Sequence, residues 1–204
     1  MTHGTIHVLV LSTADWDAPL WTNKQHLASR LAQTPGVRVT YVESLGLRSV
    51  RPTALDAKRV LRRARANALP RETGAVEVVT PRLVPAHTSA AVRRLNRPLL
   101  DRTVRAWRED PGTTVLWTYS PLTYGLEELA DRTVYHCVDF LGSVDGISAD
   151  LIDAEEQRLA RAGATAVASS APLADHLVGQ GFSDVLTWEN VADIAQFTSR
   201  DTVG

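Results

Sequence analysis

The sequence predicts an α/β fold: a mostly parallel sheet held between helices in a three-layer sandwich. Three observations lead there. Short apolar runs alternate with longer stretches of helical period along the chain, the pattern of repeated strand–helix–strand units. No internal repeat, low-complexity tract or convincing linker interrupts them, so 204 residues read as a single domain, 1–204. A hydrophobic share of 44% and a charged share of 22% suit a chain with a packed core and exclude disordered and collagen-like classes.

The elements follow in order. Residues 6–11 are a continuous apolar run apart from His7, which is the signature of a buried strand. Residues 22–33 place Leu27, Ala28, Leu31 and Ala32 on one helical face; Thr22 with Gln25 forms a capping box, and Pro35-Gly36 stops the helix. Residues 37–42 alternate as a strand. Residues 55–69 read as a helix with Leu55, Val60, Leu61 and Ala64 apolar and a basic opposite face. A strand at 76–80 leads into a segment bounded by Pro81 and Pro85. A long helix is expected over 92–107, with Pro98 as a point of breakage. Strands at 115–119 and 134–138 flank a short helix near 121–130. A strongly acidic helix over 148–162, a strand at 165–169, a helix at 172–178 and a last strand at 184–187 complete the pattern. Connections between parallel strands are expected to be right-handed crossovers.

The formal net charge of −1 hides a division: residues 1–108 carry +11 and residues 109–204 carry −12. Such asymmetry points to charged partners. The lone cysteine, Cys137, excludes an intramolecular disulfide. The first residues have neither the basic nor the apolar region of a signal peptide. No apolar run approaches the ~20 residues of a spanning helix. The expected location is cytoplasmic, with peripheral attachment at the inner face of the plasma membrane left open.

Several functional classes lose support by absence of their motifs. No G-x-G-x-x-G follows the first strand and no G-x-x-x-x-G-K-[ST] exists. There is no H-E-x-x-H, no G-x-S-x-G, and one cysteine cannot build a structural zinc site. Dehydrogenase, nucleotide-hydrolase, zinc-hydrolase and esterase readings weaken accordingly.

Five segments carry chemistry. The loop after the first strand holds Asp15, Trp16, Asp17 and Trp21. In an open α/β sheet ligands sit beyond the carboxyl ends of strands. Carboxylates there accept hydrogen bonds from hydroxyl groups, and indoles offer flat apolar faces; the alternative is a solvated loop with its tryptophans packed beneath. Next, Asn23, Lys24 and His26 stand at a helix start, whose free N–H groups suit an anionic or polyhydroxyl ligand; a plain capped surface helix explains the same residues. Third is an arginine field comprising Arg48, Arg51, Lys58, Arg59, Arg62, Arg63, Arg65 and Arg71. It can contact anionic lipid or other anions, Arg59, Arg62 and Arg63 foremost, or form an ordinary solvated face. No aromatic residue lies between Tyr41 and Trp107, which argues against nucleic acid. Finally, Trp117–Pro121 and Tyr135–Asp139 end neighbouring strands, bringing Tyr119 and Asp139 toward one crevice, with Asp139 as a base or an acceptor. His7 and, less clearly, His136 read as satisfied core histidines.

Taken in order, the segments Trp21-Thr22-Asn23-Lys24-Gln25-His26-Leu27-Ala28, Tyr41-Val42-Glu43, Thr80-Pro81-Arg82-Leu83-Val84-Pro85, Leu95-Asn96-Arg97 and Leu116-Trp117-Thr118-Tyr119-Ser120-Pro121 form a recognisable series. Val134-Tyr135-His136-Cys137-Val138-Asp139, Glu155-Glu156, Ala168-Ser169-Ser170 and Glu189-Asn190-Val191-Ala192-Asp193 with Phe197 continue it. The series resembles the N-terminal domain of GT-B-fold, family 4-like bacterial glycosyltransferases, in particular the subgroup related to teichuronic acid biosynthesis enzymes. That resemblance implies a Rossmann-like domain, one half of a GT-B fold, which binds mainly the sugar acceptor. It implies that a second Rossmann-like domain, absent from this chain, binds the nucleotide-sugar, so that the chain alone is inactive. No cofactor is implied beyond that co-substrate, and no metal. Two departures stand out: Asp15–Trp21 occupies the place of a Gly-Gly turn common in the family, and Tyr119 stands where many members carry His.

The expected function is therefore sugar transfer from a nucleotide-sugar to a cell-envelope, lipid-linked or other small acceptor. Tyr119 and Asp139 are the catalytic candidates. Asp15, Trp16, Asp17, Trp21, Asn23, Lys24 and His26 are the acceptor-binding candidates. Two alternatives remain beside it: a non-catalytic module that docks a partner through its acidic half, and a membrane-surface adaptor working through the arginine field.

Overall fold

A computed structural model of the chain describes residues 5–47 and 70–189. Its elements are β1 (Ile6–Leu11), α1 (Asn23–Ala32), β2 (Val37–Val42), β3 (Arg71–Thr73), β4 (Val76–Val79), α2 (Ala90–Thr103), α3 (Arg105–Arg108), β5 (Thr113–Thr118), β6 (Arg132–Cys137), α4 (Ala149–Arg161), β7 (Thr165–Ala168), α5 (Ala171–Gly179) and β8 (Val185–Thr187). The strands form one sheet in the order β3-β4-β2-β1-β5-β6-β7-β8. Every pairing is parallel except that of β3 with β4. The fold is thus the Rossmann-like three-layer α/β sandwich expected. The helix expected over 55–69 and the arginines Arg48 to Arg65 lie outside the described residues.

Strand order explains which face each helix covers. The chain moves outward from β1 to β2 and β4, then returns to the other side of β1 to begin β5. With right-handed crossovers, that reversal sends the helices of the two halves to opposite faces. One face packs Leu9, Leu11, Val42, Val79 and Leu116 against Leu100, Val104 and Trp107 of α2, α3 and their junction. The same face of β6 and β7 packs Tyr135, Cys137, Ala166 and Ala168 against Leu159 of α4 and Leu173 and Leu177 of α5. The other face packs Val8, Val10, Val39, Tyr41, Val76 and Val78 beneath Ala28 of α1 and Trp16. Each fully buried side chain of this size contributes about 1.5–3 kcal/mol of burial free energy. Leu186 and Trp188, at the β8 edge, remain exposed.

Three local features differ from expectation. β3 forms a hairpin with β4 through Gly74, whose φ of +65° suits the primed turn of a two-residue loop. Pro98 sits inside α2 without ending it, and the helix stops instead at Val104, whose φ is −103°. The reason is Trp107: turning there lets the fully buried indole donate from Nε1 to the His7 carbonyl oxygen at 3.0 Å. The helix expected near 121–130 is a single 3-10 turn, Leu126–Glu128. Among the described residues, no helix is long and apolar enough to cross a membrane.

Candidate functional site

The strand order reverses between β1 and β5, so the crevice at their carboxyl ends is where an open α/β sheet takes its ligand. Side-chain alternation aims Trp117 and Tyr119 to the α1 side of the sheet and Leu116 and Thr118 to the other. The register pairs Thr118 with Tyr135, which sets Tyr119 beside His136 one step further on. Their rings stack, with centroids 4.9 Å apart and planes inclined by 30°. Trp188, just beyond β8, is held by its backbone N–H donating to the Ala168 carbonyl at 2.8 Å. Its indole reaches back over the sheet, edge-on to Trp117 with centroids 6.2 Å apart.

α1 supplies the roof. Its capping box is formed: the Gln25 side-chain oxygen accepts from the Thr22 N–H at 3.0 Å. The other end of the same amide donates to the Asp15 carbonyl at 3.0 Å, tying loop to helix. Lys24, in the first turn and almost fully buried, holds its ammonium 5.3 Å from the centre of the Tyr119 ring. This is a cation–π distance.

The polar groups of this crevice are unusual. Among the described residues, Trp117 Nε1, the Tyr119 hydroxyl and both ring nitrogens of His136 are buried without a hydrogen-bond partner of good geometry. Tyr119 is 2% exposed and His136 is 5% exposed. Buried polar groups are normally paired, and leaving one unpaired costs about 1–3 kcal/mol. Burial, with Lys24 adding to it, lowers the His136 pKa to about 4, so the imidazole is neutral at physiological pH. Burial raises the Tyr119 pKa, against which the nearby Trp117 N–H acts, and keeps the phenol protonated. It also lowers the Lys24 pKa, against which the charge of Asp139 acts.

The acceptor-loop residues have distinct places. Trp16 is a buried wedge against Tyr41, with ring centroids 5.0 Å apart, and its backbone N–H donates to Glu43 Oε1 at 2.9 Å. Asp17 is exposed and pairs with Arg71 at 2.9 Å. Arg71 also donates to Glu43 at 2.8 Å, and the Thr80 hydroxyl donates to the same carboxylate at 2.6 Å. Asp15 and Asn23 are half-buried. Trp21 is exposed, meeting Trp16 and the partly buried His26 with its ring. Asp139 is exposed just past β6, and its field reaches Lys24. The structure therefore gathers Lys24, Tyr119 and Asp139 round one crevice and fixes Trp16 and Asp17 as anchors of the loop beside it. Arg59, Arg62 and Arg63 lie outside the described residues.

The two strand histidines differ. His7 has partners at both nitrogens, Asp110 at 3.0 Å and Thr40 at 2.8 Å, as a satisfied core histidine should. His136 has none among the described residues, against the sequence expectation. Trp188 and Trp117 were not anticipated as site residues either.

Among the described residues, one grouping of carboxylates and imidazole is close enough for a metal ion: Asp153, Glu156 and His176. Each of its residues already has a hydrogen-bond partner. Glu156 accepts from the Tyr135 hydroxyl at 2.7 Å and meets His176 at 2.7 Å, while Gln180 donates to Asp153 at 3.2 Å. It lies between α4 and α5, on the face away from the crevice. A shallow depression lined by Pro111, Gly112, Thr113, Asp131 and Arg132 sits at the amino ends of β5 and β6, the far rim of the sheet.

Comparison of the chain with protein-family models and with curated proteins gives no match.

Proposed function

We propose that this chain is the acceptor-binding half of a glycosyltransferase, taking a sugar acceptor in the β1–β5 crevice while a second domain supplies the nucleotide-sugar. The observation that carries this reading is the set of buried, unpartnered groups on Trp117, Tyr119 and His136. Hydrogen-bonding atoms set among aromatic faces are what a sugar needs: its hydroxyls pair with the polar atoms and its C–H faces pack on the rings. The ordered resemblance to family 4-like glycosyltransferases supports the same reading. In it, Tyr119 and His136 hold the acceptor, Asp139 receives a hydrogen bond from it or takes its proton, and Trp21, Asn23 and His26 line the entrance.

Titration of the full chain, followed by tryptophan fluorescence, tests this. Methyl glycosides and sugar phosphates are presented in one arm and the uncharged nucleosides uridine and guanosine in the other. Binding in the sugar arm, weakened severalfold in Tyr119→Phe and in His136→Ala, is the expected result. Tight nucleoside binding, or no response to any sugar, overturns it.

A further inference from the structure

We propose that the molecule bound in this crevice carries a compact oxyanion, phosphoryl or carboxylate, seated against the Lys24 ammonium at the amino end of α1. This rests on the acceptor reading above and specifies the chemistry of that acceptor.

The first argument is the charge of Lys24. Its side chain is 8% exposed, yet among the described residues no carboxylate lies within ion-pair distance of it. A buried cation without a counter-charge is costly. The Tyr119 ring face offsets only part of that cost, since a cation–π contact is worth about 0.5–2 kcal/mol. An arriving anion completes the pairing. Asp139 acts on Lys24 through its field alone and stays exposed.

The second argument is donor balance. The ammonium and the Trp117 N–H are donors only, the neutral His136 carries one N–H, and the Tyr119 hydroxyl can turn to donate. Against them stand one imidazole nitrogen and one phenolic oxygen as acceptors. Every hydroxyl of a neutral sugar brings a donor that needs an acceptor in return, whereas an ionised oxyanion brings acceptors only, which is what a donor-rich crevice lacks.

The third argument is the helix. α1 has no acidic residue in its first turn, so its positive end is not neutralised from within. Lys24 stands in the first turn of that helix, with its ammonium over the Tyr119 ring. Tyr119 and its stacked neighbour His136, almost fully buried and unpartnered among the described residues, mark the place as a ligand position and not merely a capped terminus.

The experiment titrates the full chain with methyl glucoside, glucose 1-phosphate, glucuronate and inorganic phosphate, at constant ionic strength. The wild type is expected to bind at least one of the two anionic sugars roughly tenfold or more tightly than the methyl glucoside. Which of the two binds better separates a phosphoryl from a carboxylate source. Lys24→Met should abolish the preference and Lys24→Arg should keep most of it; circular dichroism and a thermal melt establish that both variants fold. Equal affinity for the neutral and anionic sugars, or a preference that survives Lys24→Met, overturns the oxyanion assignment while leaving the acceptor reading standing. Failure of all the sugars, with or without binding of inorganic phosphate, overturns the acceptor reading itself.

Discussion

The imidazole of His136 lies parallel to the indole of Trp188, their planes 2° apart and their centroids 5.9 Å apart. Half-exposed Trp188 therefore helps to keep water from a histidine whose nitrogens have no partner among the described residues. Removing the indole in Trp188→Ala admits water and stabilises the imidazolium, so the His136 pKa should rise from about 4 toward the ordinary histidine value. An NMR titration of the His136 ring, wild type against variant, measures it.

The same histidine makes stability depend on pH. Its folded-state pKa, about 4, lies below the unfolded value of 6.5, so the unfolded chain takes up the proton first. Stability should fall as pH drops from 6.5 toward 4, with no further contribution from this group below that window. His136→Gln should flatten this part of the profile. Urea midpoints at pH 7 and pH 4.5 provide the comparison.

Tyr119→Phe deletes a buried hydroxyl that has no partner of good geometry among the described residues. A structural hydroxyl would be missed, but this one should not be: stability is expected to stay level or to rise by up to about 1 kcal/mol. Sugar binding should weaken severalfold in the same variant. Thermal denaturation and the fluorescence titration, run side by side, separate the two effects.

Glu43 gathers the Trp16 N–H, Arg71 and the Thr80 hydroxyl on one carboxylate. Glu43→Ala leaves these donors unanswered and should cost about 1–3 kcal/mol. Because Trp16 then loses its tether, the loop that approaches the crevice should exchange its amide protons faster. Hydrogen exchange over residues 12–22 reads that out.

At the opposite rim, a Cβ added to Gly112 would stand 2.1 Å from the Thr5 carbonyl oxygen, which accepts the Thr113 N–H at 2.9 Å. Gly112→Ala must push that backbone aside and should lose about 1–3 kcal/mol. At this chain length the melting temperature falls by several degrees. Sugar affinity should hold at temperatures where the variant is folded, since the crevice lies at the other end of the strands.

The sheet was legible because buried parallel strands write themselves as apolar runs: residues 6–11 and 37–42 coincide with β1 and β2. β3 escaped notice because Arg71, Glu72 and Thr73 are all exposed and write no apolar pattern; backbone pairing with β4 and the ion pairs of Arg71 with Asp17 and Glu43 hold them in place. The division between α2 and α3 escaped because it depends on where Trp107 finds an acceptor on β1. The region beyond the carboxyl ends of the strands was legible from the strand–helix alternation, but the contacts of its residues were not. His7 and His136 look alike in sequence, each set among apolar neighbours. What separates them is whether residues far along the chain, Thr40 and Asp110 for His7, come within reach. Asp17 likewise gives no sign of its partner in sequence, Arg71 being remote along the chain.

The alternation along β6 has an evolutionary edge to it. Tyr135 turns to Glu156 between the helices and His136 turns to the crevice, while Cys137 turns back again. A strand has only these two faces, so gain or loss of a single residue ahead of β6, if taken up by sliding, would exchange them. The imidazole would be driven among apolar side chains and a phenol or thiol would enter the crevice. Lineages carrying this fold can therefore lengthen the turn before β6 only where the extra residue bulges outward, and mutational scanning should find that turn tolerant of substitution and intolerant of changes in length.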